Sequence, residues 1–120
     1  MAKQQSNNDQ QVDYVEFGVS DIAKTRNFYG SVFGWTFTEY GPNYLEFQDG
    51  RLTGGFTTFW SPRSGGPLVI MYADDLEATL ERVRKADGGI SKEIHEFPGG
   101  RRFHFTDPDG YELAVWSKNR

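Results

Sequence analysis

One order of elements, β-α-β-β-β, can be read twice along the chain, and this repetition limits the available folds more than any other feature. In the first pass, residues 12–19 alternate as a strand does, with Val15, Phe17 and Val19 on one face and Tyr14, Glu16 and Gly18 on the other. Ser20 or Asp21 can cap a helix running from Ile22 to about Phe33. Its Ile22, Thr25, Phe28, Tyr29, Val32 and Phe33 recur at helical spacing, and Gly34 is placed to end it. Three strands follow at 35–40, 44–48 and 52–60, the last two joined by an Asp49-Gly50 turn. The second pass predicts a strand over 68–73 and a helix over 76–86, capped by Asp74 or Asp75 and stopped by Gly88-Gly89. A strand over 90–97 and a hairpin over 102–116 complete it. That hairpin turns on Asp107-Pro108-Asp109-Gly110, where proline presets φ, aspartate bonds its own backbone and glycine tolerates positive φ.

The two passes imply an α+β domain. It has a tail (1–11) that is disordered by composition, a first module (12–60), a linker (61–67) and a second module (68–117). In each module the helix covers one face of a curved mixed sheet, leaving the other face to build a cleft. A chain of 120 residues can bury a substantial core. Its formal net charge of -4 argues against nucleic acid or an anionic membrane as partner. Without cysteine it has no disulfide or thiolate chemistry. The opening residues lack the apolar stretch of a secretory signal and no long apolar run follows, so a cytoplasmic protein is expected. Aromatic residues make up 16% of the chain, which demands a ring-rich core, a ring-lined pocket, or both.

The segments VDYVEFGVSDIAKTRNFYGSVFGW and FTDPDGYELAVW resemble the vicinal oxygen chelate superfamily, which includes glyoxalase I, bleomycin-resistance proteins and extradiol dioxygenases. The resemblance covers nearly all of residues 12–117. It implies a pair of βαβββ modules, commonly assembled as a homodimer. It also implies a divalent metal held by four side chains, one from the first and one from the last strand of each module. Transferred residue by residue, those positions are Tyr14, Leu68, Ala114 and, by the internal repeat, Gly54. Three of them carry no donor atom and the fourth carries a phenol, so no metal and no other cofactor is expected. The chain's two histidines, His95 and His104, fall at none of the four positions.

Strand parity then assigns a cleft face. Tyr14, Glu16, Gly54, Phe56, Leu68, Ile70, Tyr72, Ala114 and Trp116 are the expected ligand-contacting set, with Thr58 and Glu112 beside them. Glu16 is the candidate catalytic residue. Among aromatic walls it could serve as a general base, or as the counter-charge of a cationic ligand assisted by cation–π contacts. It could equally pair with an arginine or sit in water at the cleft mouth. Glu112 falls near a turn and suits a solvated rim. His104 lies on a polar strand face, and of Arg101 and Arg102 only one can point into a given cleft. The expected activity is binding of a small aromatic or cationic molecule without a metal. Two alternatives stand beside it: a lyase, isomerase or dioxygenase acting through Glu16 or a displaced metal, and a protein-interaction module.

Overall fold

The computed structural model describes residues 9–119; most of the tail expected at 1–11 lies outside them. The element order is β1 (Val15–Gly18), α1 (Ile22–Phe33), β2 (Thr36–Glu39), β3 (Tyr44–Gln48), β4 (Thr53–Thr57), β5 (Val69–Tyr72), α2 (Leu76–Lys85), β6 (Gly89–Phe97), β7 (Gly100–Thr106) and β8 (Glu112–Ser117). Two four-stranded mixed sheets result, ordered β1-β4-β3-β2 and β5-β8-β7-β6. In each, the first strand runs parallel to the last and the remaining neighbours are antiparallel. This is the expected α+β architecture.

The helices begin where short acidic side chains can take up free backbone N–H groups. Asp21 accepts from the Lys24 N–H and Asp75 from the Ala78 N–H. Gly34 closes α1 in the left-handed conformation at φ 70°. The glycine stop expected for α2 works differently. The residue at positive φ is Asp87, at 64°, while Gly88 is required by space, because a Cβ there would press on Val83 and Phe28.

The helix-facing sides of both sheets share one core. Phe28 of α1 packs at 6.0 Å from Phe105 of β7, and Phe17 of β1 at 5.2 Å from Tyr111. The turn before β8 is tied into the first module. Fully buried Tyr29 donates its hydroxyl to Asp107 at 2.7 Å, and Tyr111 donates to the Gly18 carbonyl at 2.8 Å. Ser20 donates to Asp109 from both its backbone N–H and its hydroxyl. Burial, followed by the Asp107 charge, raises the Tyr29 pKa well above the usual phenol range. Burial also raises the Asp107 pKa, against the Tyr29 hydroxyl and the Tyr111 and Asp109 N–H groups that favour the ionised form.

Because each sheet turns its helix-facing side into this shared core, the opposite faces point outward. Among the described residues, no hydrogen bond or ring contact joins the outer face of one sheet to that of the other. No helix among them is long and apolar enough to cross a membrane. Replacing Tyr29 by Phe leaves the buried Asp107 carboxylate without its closest donor. Stability should fall by roughly 1–3 kcal/mol, seen as a lower urea midpoint with unchanged slope.

Candidate functional site

The register separates the expected cleft residues into those that share the outer faces and those that do not. Val15 pairs with Gly54, Glu16 with Gly55 and Phe17 with Phe56. Gly54 and Phe56 therefore belong with Val15 and Phe17 on the helix side. Phe56 is fully buried and stacks on Tyr29 at 5.1 Å, and a Cβ on Gly54 would strike the Phe47 ring. Their expected place in the cleft is corrected, and Thr58, which shares their parity, instead donates its hydroxyl to Asn43. The cause is loop length. The first turn closes from Asp49 N–H to the Leu52 carbonyl, and the last from Asp107 N–H to the Tyr111 carbonyl, one residue further on. Counting from the turn glycines thus misses by one, and the position that matches Ala114 is Gly55.

The outer face of the first sheet is a polar relay. Trp60 donates its indole N–H to Glu16 Oε1 at 2.9 Å, and Tyr44 donates its hydroxyl to Glu16 Oε2 at 2.8 Å. Since the Tyr44 proton is committed to Glu16, the 2.6 Å contact between the Tyr14 and Tyr44 hydroxyls has Tyr14 as donor. Burial, then these hydrogen bonds, pushes the Tyr44 pKa far above its ordinary value. Gly55 makes the relay fit, because a Cβ there would overlap the Tyr44 hydroxyl and crowd that of Tyr14. Gly18 gives the Trp60 ring its place in the same way.

The outer face of the second sheet is richer in rings. Ile70 and Tyr72, on the edge strand β5, are each 43% exposed. Tyr72 meets Trp116 edge-on at 4.9 Å, and Trp116 meets Phe97 at 6.1 Å. Ala114 is fully buried, opposite His104 of β7, and Leu68 is half-buried just before β5. Arg102 pairs in register with Trp116 and lies 5.7 Å above the Phe97 ring. His104 contacts Glu112 through Nδ1 at 3.1 Å, and Ser91 donates to the same carboxylate oxygen. Arg101, on the other face of β7, pairs with Glu77.

Tyr14, Gly55, Leu68 and Ala114 together offer a metal one phenol oxygen and no other side-chain donor. Among the described residues, no group of three or more His, Asp or Glu is arranged to hold an ion. Sequence reasoning overlooked Tyr44, Trp60 and Phe97 as site residues. The alternation of Tyr44, Glu46 and Gln48 against Leu45 and Phe47 carried a signal for the first. The meeting of Trp60 with Glu16, 44 positions apart, had none.

A model of the Glyoxalase/Bleomycin resistance protein/Dioxygenase superfamily matches residues 11–115. The anthracycline biosynthesis protein DnrV of Streptomyces peucetius is 29% identical over 88% of this chain. The chain spans about half the length of that relative, 46%. A glyoxalase-related enzyme from Fulvimarina pelagi superposes with a TM-score of 0.78 at 21% identity, covering 90% of this chain and 88% of its own. TnmS3, an antibiotic binding protein from Streptomyces sp. CB03234, superposes with a TM-score of 0.75 at 20% identity, covering 90% and 95%.

Two outcomes test this geometry. In Gly55→Ala the new methyl displaces the Tyr44 hydroxyl, so stability should fall by about 1–3 kcal/mol and Trp60 emission should shift as the relay loosens. The second concerns Glu112, whose carboxyl pKa is lowered from its ordinary 4.5, first by Ser91 and then by His104. A lowered carboxyl stabilises the fold above its ordinary pKa and ceases to do so as pH falls through the folded value. The melting-temperature gap between wild type and Glu112→Gln should be present at neutral pH and close on acidification below that ordinary value.

Proposed function

Because the chain belongs to the glyoxalase/bleomycin resistance protein/dioxygenase superfamily, we propose that it binds a small aromatic molecule, without a metal, in a cleft closed by two copies of itself in the cytoplasm. The observation that carries this reading is the outward orientation of both curved faces. One chain uses its helix-facing sides to join its own modules, so a cleft with two walls needs a second chain. Set against the other copy's second sheet, the first-sheet face would pair a polar wall of Glu16, Tyr14 and Tyr44 with a ring wall of Tyr72, Trp116 and Phe97. A few placed polar groups among aromatic side chains suit a small-molecule pocket. A two-fold pair would form two such clefts.

Binding is favoured over catalysis by the state of Glu16. Both of its oxygens already accept hydrogen bonds, from Trp60 and Tyr44, so it is held as a fixed acceptor rather than poised to take a substrate proton. The absence of donors at Gly55, Leu68 and Ala114 supports the metal-free part. DnrV is an anthracycline biosynthesis protein and TnmS3 an antibiotic binding protein, which accords with a ring-lined cleft.

The test uses 2-naphthamide as a neutral aromatic probe, read by calorimetry. Wild type should bind it and sediment as a dimer, while Tyr44→Ala and Trp116→Ala should each lose binding. Mixing the two variants should restore part of it, because a heterodimer holds one cleft with both walls intact. A monomer that binds at full stoichiometry would overturn the shared cleft. A stoichiometric metal in protein purified without chelators, with binding lost in EDTA, would overturn the metal-free part.

A further inference from the structure

Three buried side-chain polar atoms among the described residues lack a partner, and two of them sit together on the outer face of the second sheet: Arg102 Nε and His104 Nε2. The two residues are two positions apart on β7, so their side chains rise from the same face with Cα atoms about 6.7 Å apart. His104 is only 8% exposed. A buried nitrogen left without a partner is destabilising, so two on one face call for an explanation. Arg102 forms no ion pair among the described residues, and its charge rests over the Phe97 ring.

The chemistry of the missing partner follows from what each group already does. The Glu112 carboxyl, held toward its ionised form, can only accept, so the Nδ1 atom of His104 carries the proton of their shared bond. Arg102 can only donate, and its planar fork matches two oxygens of one anionic group. The Glu112 charge lies on this face and would oppose an anion, but Ser91 and His104 already engage it. Trp116, in register with Arg102, sets an indole beside the guanidinium.

We propose that Arg102 is the anion-recognising pole of the cleft, and that the aromatic molecule bound there carries an anionic oxygen group, such as a carboxylate, beside its ring. This rests on the cleft reading above and replaces the cationic ligand that Glu16 suggested. The ring would lie on Trp116 and Tyr72, while its acidic group meets the Arg102 guanidinium and keeps clear of Nε2 of His104, which is an acceptor while Nδ1 holds the ring's proton.

Three probes of one shape decide the matter: 2-naphthoate, neutral 2-naphthamide and cationic 2-naphthylmethylamine. Wild type should prefer the naphthoate by roughly tenfold or more, the scale of one charge-assisted hydrogen-bond pair. Arg102→Gln should erase that preference, bringing naphthoate and naphthamide to similar affinities. Naphthoate, and not naphthamide, should also move the nitrogen resonance of Arg102 Nε in the wild-type protein, a readout that holds even if the variant fails to fold. Equal binding of naphthoate and naphthamide, or tightest binding of the amine, would overturn the anionic pole and leave the cleft standing. Failure of all three to bind would remove the cleft reading itself.

Discussion

The hydrogen bond from Tyr29 to Asp107 is the joint on which the molecule depends. It lies where the Asp107–Gly110 turn meets the buried stripe of α1. Asp107 organises its own turn through the N–H groups of Asp109 and Tyr111, and Tyr29 anchors that turn to α1. Tyr111 then reaches the Gly18 carbonyl and Ser20 clasps Asp109, so the corner between β1 and α1 is held by the far end of the chain. Ring packing alone is forgiving of rotation and slip. A buried acceptor with one fixed donor is not, and it sets how the two modules meet.

That meeting decides where function can lie. Once the helix sides are spent on the intramolecular core, the sheets have only their outer faces left, and these differ. The first is a relay in which two tyrosines and a tryptophan satisfy one carboxylate. The second is a row of rings beside an arginine and a histidine whose hydrogen bonds are incomplete. The fold is common to proteins of many activities, and it does not select among them. The difference between a finished polar network and an unfinished one speaks to this chain in particular.

Much of this was legible in the residues. The alternation of Val15, Phe17 and Val19, the helical stripe through Phe28, Tyr29 and Val32, and the caps at Asp21 and Asp75 are local signals, and local physics reproduces them. The outer positions of Tyr14, Glu16, Ile70, Tyr72 and Trp116 followed from parity within single strands. What failed was comparison between strands. Gly54 and Phe56 were placed by counting from a glycine, but register is set by the residue that closes the turn, and Leu52 closes one position sooner than Tyr111. The donors to Glu16 come from β3 and from beyond β4, and no periodicity links such distant residues. The isolation of Arg102 was equally invisible, since its neighbour Arg101 looks the same in sequence and is paired with Glu77 on the other face.

Gly55 has a bearing on the history open to such a chain. The volume that a larger side chain would need there is filled by the hydroxyls of Tyr44 and Tyr14, and the partner strand position carries the carboxylate they serve. A histidine or glutamate cannot be introduced at that point by one substitution without expelling the Tyr44 hydroxyl and costing Glu16 one of its two donors. Any route to an ion-binding side chain at that point therefore passes through a damaged intermediate, and the tyrosine relay works as a ratchet that favours elaboration of the present surface.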